Sequence, residues 1–421
     1  MLRQIEGSRA VAETVALCRP EVVCAYPISP QTHIIEAVGA MVKAGTLAPC
    51  EFINVESEFA AMSVSIGASA AGARAYTATA SQGLLFMLEA VYNASGLGLP
   101  IVMTLANRAI GAPINIWNDH SDAMAARDSG WIQLFAETNQ EAADLHVQAF
   151  RLAEELSVPV MVCMDGFILT HAVEGVDLMS QDQVDSFLPP YEPRQVLDPD
   201  DPVSIGAMVG PEAFEEVRYL AHLRQLDALA LIPSIAASFA GLTGRDSGGL
   251  VHPYRTDDAE VIVVALGSVL GTIKDAVDTR RARGERIGVL GITTFRPFPR
   301  EAVRDALAGV SRVVVVEKAF SLGGEGVVLT DVVMALAGRD VVLHNVIAGL
   351  GGRPITQAAI EALLERAGTG DLGRLTFLDL DESAVSRERS RIAAARRTGP
   401  SAENVLYDRA TQGSRVAQEQ S

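Results

Sequence analysis

The chain is poor in the residues that would build its own metal or iron–sulfur centre. Its 421 residues include only 4 cysteines, with no CxxC pair and no cysteine–histidine cluster at zinc spacing. We therefore expect reduced thiols, no structural zinc and no iron–sulfur cluster held by this chain. The cysteines are Cys18, Cys24, Cys50 and Cys163.

Positive charge is also scarce. The chain has 34 Lys and Arg residues against 52 Asp and Glu residues, which gives a formal net charge of −18. An acidic surface repels phosphate groups at long range, so we expect neither a nucleic-acid partner nor an anionic membrane surface. Charged residues make up only 20% of the chain and hydrophobic residues 49%, which excludes a disordered protein.

Long hydrophobic runs are missing as well. No stretch approaches the roughly 18 apolar residues that a membrane-spanning helix needs. Glu6, Arg9 and Glu13 interrupt the first 20 residues before the apolar core of a signal peptide could form. We therefore expect no membrane span and a cytoplasmic location. The short runs that do occur, such as residues 261–266 (VIVVAL), are typical of parallel strands buried on both faces.

Two series of alternating strands and helices organise the chain. Apolar runs alternate with helical segments in residues 1–180 and again in residues 257–370. This alternation predicts an α/β fold with two doubly wound parallel-sheet domains. Prolines and glycines interrupt residues 181–256, which predicts an irregular connection with a helix near residues 211–228. Residues 371–421 predict a C-terminal tail that contacts a partner or is partly disordered.

The predicted elements have definite positions. In the first series the predicted strands cover residues 22–26, 52–55, 75–79, 101–105 and 160–164, and the predicted helices residues 31–43, 57–71, 84–95 and 140–157. In the second series the predicted strands cover residues 261–266, 287–291, 313–317 and 341–347, and the predicted helices residues 270–283, 300–308 and 326–336.

Two glycine-rich segments lie in the second series. Gly267-x-x-x-Gly271 follows a predicted strand, and residues 323–326 (GGEG) precede a predicted helix. The first lacks a convincing third glycine and acidic partner, and neither shows the GxxxxGK[ST] pattern of a nucleotide-phosphate loop. We therefore favour tight helix–strand packing, with a dinucleotide-binding dehydrogenase as a minor alternative.

Three segments of the first series place polar side chains at strand ends. Residues 26–32 (YPISPQT) present the Ser29 hydroxyl and free N–H groups, although an ordinary helix cap explains this segment better when it is taken alone. Glu56 and Glu58 begin a helix, as the macrodipole favours, and the small neighbours of Glu58 suit proton chemistry. Arg108 is placed for a substrate carboxylate or a structural ion pair. Together the segments predict a site for a small anionic substrate.

Longer motifs around these residues resemble a known family. YPISPQT, VESEFAAMSVSIGASAAGARAYTATASQG, ANRAIGAPINIWNDHSD and ARDSGWIQLF resemble the α subunit of the 2-oxoacid:ferredoxin oxidoreductases, and within that family its pyruvate branch. The resemblance extends over residues 1–370. It implies that residues 1–180 face the aminopyrimidine of thiamine diphosphate and that residues 257–370 form a transketolase C-terminal-like domain.

The resemblance also implies roles for individual residues. Glu58 falls on the glutamate that hydrogen-bonds N1′ of the aminopyrimidine, and Arg108 falls on the arginine that binds the substrate carboxylate. Ser29 stands where the family has a substrate-contacting threonine; it keeps the hydroxyl and lacks one methyl group, which leaves the size of the substrate open. Further implied contacts with the cofactor are Glu56 (the alternative to Glu58), Ser81, Gln82 and Gly83.

The other half of a thiamine diphosphate site is missing from the sequence. There is no GDG motif followed by an Asn-Asn pair, the pattern that usually holds magnesium and the diphosphate, and residues 164–166 (MDG) have no such continuation. The resemblance therefore implies a β subunit that holds the diphosphate and Mg²⁺. It also implies iron–sulfur clusters on γ- and δ-type subunits or fused equivalents, coenzyme A as co-substrate, ferredoxin or another acceptor, and a dimer of heteromers. We expect no metal ligand on this chain.

The implied activity is the CoA-acylating oxidative decarboxylation of a 2-oxo acid, with pyruvate as the expected substrate. A bulkier branched or aromatic 2-oxo acid, such as a phenylglyoxylate-like compound, remains an alternative. A non-catalytic scaffold subunit is another. The joint presence of Glu58, Arg108 and Ser29 favours a working site over a scaffold.

Overall fold

The computed structural model describes the backbone of residues 2–419 and the side chains of residues 2–411. Its strands are β1 (Leu2–Glu6), β2 (Val22–Ala25), β3 (Glu51–Asn54), β4 (Ala75–Thr79), β5 (Val102–Asn107), β6 (Ile132–Phe135), β7 (Val160–Asp165), β8 (Val173–Asp177), β9 (Val251–Tyr254), β10 (Val261–Ala265), β11 (Ile287–Ile292), β12 (Thr294–Arg296), β13 (Arg312–Glu317), β14 (Val342–Ile347) and β15 (Leu375–Phe377).

Helices connect these strands, together with one 3₁₀ turn at Leu350–Gly352. The helices are α1 (Gly7–Leu17), α2 (Thr32–Lys43), α3 (Glu58–Ala70), α4 (Ser81–Phe86), α5 (Leu88–Gly96), α6 (Ser121–Ala125), α7 (Asn139–Leu156), α8 (Gln181–Phe187), α9 (Phe214–Thr243), α10 (Val269–Arg281), α11 (Arg300–Ala306), α12 (Val327–Ala335), α13 (Gln357–Thr369), α14 (Glu382–Ala394) and α15 (Ser401–Glu419).

Seven strands form the first sheet, in the order β12-β6-β7-β5-β4-β2-β3. Six of them run parallel, and β12 pairs antiparallel with β6. Successive residues of β7 alternate between two apolar clusters: Val160 and Val162 belong to one cluster, Met161 and Cys163 to the other. The sheet is therefore covered on both faces, which explains why its central strands are continuously apolar.

Strand β12 belongs to the second half of the chain but completes the first sheet. Thr294 pairs with Leu134 and Arg296 with Gln133. The sequence patterns predicted neither β6 nor β12, because they contain only 4 and 3 residues and pair across a long sequence separation. The pairing gives β6 a neighbour at what would otherwise be an open sheet edge.

The second sheet has six strands in the order β15-β14-β13-β10-β11-β9. Five run parallel, and β9 pairs antiparallel with β11 at one edge. Because β10 lies between β13 and β11, the chain extends the sheet first to one side and then to the other, as in doubly wound domains. The structure confirms the predicted α/β fold with two parallel-sheet domains.

Helix α9 (Phe214–Thr243) is much longer than the helix predicted near residues 211–228. It continues through Pro233 and ends at Gly244, which adopts a left-handed φ of 72°. The predicted helix was too short because the proline and glycine residues indicated irregular structure, although one face of the helix carries a stripe of apolar residues. That stripe packs into the core of the first domain through Ala228, Ile232, Ile235 and Phe239.

Among residues 2–419, helix α9 is also the one helix long and apolar enough to cross a membrane, so the prediction that no stretch approaches that length was wrong. The structure buries 22% of the most apolar window of the helix, which packs against α7 and α8. Packing on the first domain accounts for its inward-facing apolar residues.

The C-terminal tail contains two helices, α14 and α15, that pack against each other. The Arg391 guanidinium lies 3.1 Å from the Asp408 carboxylate, and Asn404 Nδ2 donates to Glu388 Oε1 at 3.1 Å. The polar contacts between the helices explain how a segment of low hydrophobicity forms regular structure. Contact of this tail with a partner remains a prediction, as do the domain boundaries.

Candidate active site

Glu58 occupies the first position of helix α3. Ser57 caps the helix, and its side-chain oxygen accepts a hydrogen bond from Ala60 N at 3.2 Å. Only 8% of Glu58 is exposed, whereas Glu56 lies before the cap and is exposed. The structure thus separates two carboxylates that the sequence analysis placed together at the helix start.

The side chains of Glu58 and Thr79 pack closely against Gly83 in α4. A Cβ atom added at Gly83 would lie 2.8 Å from Glu58 Oε1 and closer still to Thr79 Oγ1. Thr79 Oγ1 is buried and has no hydrogen-bond partner among the described residues, an arrangement that usually costs about 1–3 kcal/mol. A carboxylate beside an unsatisfied hydroxyl fits the nitrogen-rich edge of an aminopyrimidine, which offers both donors and acceptors.

Arg108 begins the loop after β5 and is buried. Its Nε donates to Asn115 O and its Nη1 to Ser29 O, each at 3.0 Å. Burial lowers the pKa of the guanidinium, and Asp122 acts in the opposite direction. Among the described side chains Arg108 forms no ion pair and its Nη2 has no hydrogen-bond partner, so the structural ion-pair alternative is wrong.

Ser29 lies in an exposed loop beside Arg108. Helix α2 begins at Thr32, and its N-cap residue is Gln31 rather than Ser29, so the helix-cap alternative for Ser29 is also wrong. The backbone carbonyl of Ser29, which accepts the bond from Arg108, brings the two predicted substrate-binding residues together. The Ser29 hydroxyl is left at the surface of the loop.

Asp122 joins these groups, and the sequence motifs predicted no role for it. Its Oδ2 accepts hydrogen bonds from Ser81 N and Arg108 N, each at 3.0 Å, and its Oδ1 accepts from Asn107 Nδ2 at 2.9 Å. Burial raises the pKa of Asp122 to about 6, although these bonds favour its charged form. Asp122 stands in the motif NDHSD beside a second aspartate, so the motif alone could not distinguish its role.

Ser81 and Gln82 lie on the other side of Asp122. Ser81 has a positive φ of 49°, and its hydroxyl is within hydrogen-bond distance of Ala109 O and of the Gln82 side chain. A Cβ atom at Gly111 would lie 2.6 Å from Gln82 Nε2. Both side chains are therefore engaged with the loop after β5, and their contact with a cofactor remains a prediction.

Asp165, the acidic residue of residues 164–166, is buried and contacts residues of both domains. His120 Nε2 lies 2.6 Å from its carboxylate and Lys318 Nζ 2.8 Å, and Ser268 N donates to it at 3.0 Å. Burial would raise the pKa of Asp165, but Lys318 and His120 outweigh this and hold the pKa well below its usual range. The carboxylate is fully used in joining the two domains.

The glycine-rich segments of the second domain mostly serve packing. A Cβ atom at Gly267 would come within 3.0 Å of the His120 ring, and one at Gly326 would clash with the Glu317 side chain. Gly271 and Gly323 have open space around the Cβ position. The predicted helix–strand packing is confirmed for Gly326, which lies against β13, whereas Gly267 packs against the first domain and packing does not explain Gly271 or Gly323.

Two family profiles cover most of the chain. The profile described as "Pyruvate flavodoxin/ferredoxin oxidoreductase, thiamine diP-bdg" matches residues 13–231. The profile described as "Pyruvate:ferredoxin oxidoreductase core domain II" matches residues 259–360. The chain belongs to the pyruvate:ferredoxin oxidoreductase family.

Curated members of this family are similar over most of their length. Pyruvate synthase subunit PorA of Methanosarcina barkeri is 53% identical over 321 residues, which are 76% of this chain and 80% of the relative. The PorA subunit of Thermotoga maritima is 47% identical over 329 residues, 76% of this chain and 82% of the relative. Ketoisovalerate oxidoreductase subunit VorA of Pyrococcus abyssi is 40% identical over 324 residues, which are 77% of this chain and 82% of the relative.

Solved structures show the same fold at low sequence identity. The 2-oxoglutarate:ferredoxin oxidoreductase from Magnetococcus marinus has a TM-score of 0.70 at 19% identity over 87% of this chain, which spans 65% of that longer chain. A split-gene transketolase has a TM-score of 0.51 at 15% identity and is matched over 99% of its length, with 87% of this chain covered. The family's two domains thus follow the transketolase-like architecture that the motifs implied.

Proposed function

We propose that this chain is the α subunit of a multi-subunit 2-oxoacid:ferredoxin oxidoreductase that oxidatively decarboxylates pyruvate to an acyl-CoA and CO₂. The observation that carries the proposal is the buried Glu58 carboxylate, held beside Gly83 and the unpartnered Thr79 hydroxyl. The names of the PorA relatives support pyruvate as the substrate.

Glu58, Thr79 and Gly83 would form this chain's contact with thiamine diphosphate. Bound there, the cofactor supplies the electron sink that makes decarboxylation of a 2-oxo acid feasible. The Glu58 carboxylate would hold a proton at N1′ of the aminopyrimidine, and Thr79 Oγ1 would gain the partner that it lacks. Gly83 lets both side chains approach α4 closely, because a Cβ atom there would collide with them.

Arg108 would bind the substrate's carboxylate. Two of its nitrogens are fixed by Asn115 O and Ser29 O, so the guanidinium is oriented before the substrate arrives. Its Nη2 remains available, and a charge-assisted bond to a carboxylate is about twice as strong as a neutral one. The Ser29 hydroxyl beside it would contact the keto end of the substrate.

The remainder of the catalytic machinery would lie on partners. We propose a β subunit that holds the diphosphate and Mg²⁺, and γ- and δ-type subunits or fused equivalents that carry iron–sulfur clusters. Coenzyme A would accept the acyl group, and ferredoxin or a similar protein would accept the two electrons. We place this assembly, a dimer of heteromers, in the cytoplasm. The engagement of Asp165 with Lys318 and His120 supports a magnesium site outside this chain.

A panel of 2-oxo acids tests the proposal. The complex, purified with its partner subunits, would be assayed with coenzyme A and a viologen dye on pyruvate, 2-oxoisovalerate, phenylglyoxylate and 2-oxoglutarate. We expect the highest kcat/KM on pyruvate. A preference for 2-oxoisovalerate would instead favour the branched-chain activity, which the 40% identity to a ketoisovalerate oxidoreductase subunit keeps as the second candidate. Absence of turnover on every acid would indicate a scaffold.

A further inference from the structure

Glu6, His33 and His171 converge although they are far apart in sequence. One carboxylate oxygen of Glu6 and one nitrogen of each imidazole lie within 4.8 Å of one another. Glu6 ends β1, His33 lies in the first turn of α2, and His171 precedes β8. No spacing motif connects these positions, so the sequence analysis expected no metal ligand here.

We propose that these three side chains bind one divalent transition-metal ion of the zinc class, with water completing its coordination. Imidazole nitrogens and a carboxylate oxygen are ligands that Zn²⁺ accepts in proteins. At Zn–ligand distances of about 2.0–2.1 Å, tetrahedral ligand atoms lie about 3.3 Å apart. Glu6 and His33, now 2.7 Å apart, would therefore separate slightly, and His171 would approach them. Their exposure, 49% for the His33 side chain and 31% for that of Glu6, permits this rotation.

One nitrogen of the His171 ring is held by the neighbouring Thr170. Its Nδ1 lies 2.7 Å from Thr170 Oγ1, and when Nδ1 donates to that oxygen, Nε2 is the nitrogen that can bind a metal ion. Hydrogen bonding of the second ring nitrogen is the usual way in which proteins orient a ligating histidine. The ring is also packed between those of Phe167 and His33, each with its centroid 4.7 Å away.

The charges around the cluster favour a cation. His33 Nδ1 lies 2.7 Å from Glu6 Oε1, so the carboxylate already faces the position that the ion would take.

A bound ion would tie the start of α2 to the end of β1. Helix α2 follows directly on the loop that carries Ser29, so the ion would also restrict the movement of that loop. The site lies outside the residues assigned to the reaction, and the inference does not depend on the proposed substrate.

Metal titration of the chelator-treated full chain tests the site, with Zn²⁺ followed by calorimetry and Co²⁺ by its visible absorption. We expect one Zn²⁺ per chain with a Kd of about 1 µM or lower. His171→Phe preserves the ring packing against Phe167 and His33 but removes the ligand, and we expect it to weaken binding by about tenfold or more. Glu6→Gln should have a similar effect.

His222→Ala is the matched control, because His222 is an exposed histidine on α9. It should leave the Zn²⁺ affinity unchanged, and circular dichroism should show all variants equally folded without metal. Absence of stoichiometric binding would overturn the proposal. So would binding that His171→Phe and Glu6→Gln leave intact, since that would indicate adventitious surface histidines.

Discussion

Glu58 sits in the first turn of α3, where the helix dipole favours a negative charge. Its burial against Gly83 and Thr79 removes competing water from the carboxylate. Glu56, only two residues earlier, is exposed and remains surrounded by solvent. The two neighbouring residues therefore differ in the property that matters for proton chemistry, namely the environment of the carboxyl group.

Replacing Glu58 with glutamine should leave the complex assembled and lower turnover by on the order of 10²-fold or more, because an amide cannot hold the proton that a general acid–base group transfers. Steady-state assays with pyruvate measure the effect. The matched control is Glu56→Gln, which should retain wild-type turnover. The reverse result, with loss only in the Glu56 variant, would transfer the role to that residue.

Substituting lysine for Arg108 keeps the positive charge but removes the planar group that Asn115 O and Ser29 O orient. We expect kcat/KM to fall by about tenfold to a hundredfold, the equivalent of one charged hydrogen bond. Arg283→Lys, on the exposed surface of the second domain, serves as the control. An Arg108→Lys enzyme with an unchanged kcat/KM would show that Arg108 does not bind the carboxylate.

Threonine at position 29 tests the size of the substrate. One methylene-sized change in a pocket alters discrimination by roughly 1–3 kcal/mol. If pyruvate is the natural substrate, Ser29→Thr should be nearly neutral, because the resemblance implies threonine in enzymes that use this acid. Activity on bulkier 2-oxo acids should decrease. Equal losses of activity on every 2-oxo acid would show that Ser29 does not discriminate between substrates by size.

At the level of elements, the fit between α4 and α3 depends on Gly83. An alanine Cβ there would lie 2.8 Å from Glu58 Oε1 and 2.9 Å from its Cγ, so the carboxylate would have to move. We expect Gly83→Ala to lower kcat by about tenfold or more, within the range of a displaced catalytic group. Its thermal unfolding should show that the chain still folds.

Gly67→Ala is the control for this effect. Gly67 lies in the same helix as Glu58, and its Cβ position has open space. Alanine there should raise stability by up to about 1 kcal/mol through helix propensity and leave kcat unchanged. If both variants lost activity equally, the contact between Gly83 and Glu58 would not be the cause.

The sequence patterns predicted elements well where burial left a strong local signal. The continuously apolar strands β10 and β13 were placed within one residue at each end. Strands β6 and β12 were missed because they are short and are stabilised by pairing with segments distant in sequence, which no local pattern records. The site shows the same contrast. Motifs marked Glu58 and Arg108, whereas the bonds to Asp122 join the starts of α4 and α6 to the loop after β5, which meet only in the folded chain.

For the whole molecule, a divided cofactor site has a direct consequence. We expect isothermal calorimetry on the isolated chain to detect no tight binding of thiamine diphosphate, with or without Mg²⁺, because the chain contributes only contacts to the aminopyrimidine. Adding the β partner should create tight, Mg²⁺-dependent binding. The control is the same titration of the β partner alone, followed by addition of this chain. Tight binding by the isolated chain would contradict the division.

Strand β12 affects how the protein is made. Strand β6 ends at Phe135, and its antiparallel neighbour begins at Thr294. The ribosome therefore synthesises the rest of the first domain, the connection and three further strands before the sheet is complete. At a synthesis rate of about 5–20 residues per second, this interval lasts roughly 10–30 s. During that time the nascent chain carries an unpaired strand edge, the kind of surface that recruits other strands or chaperones.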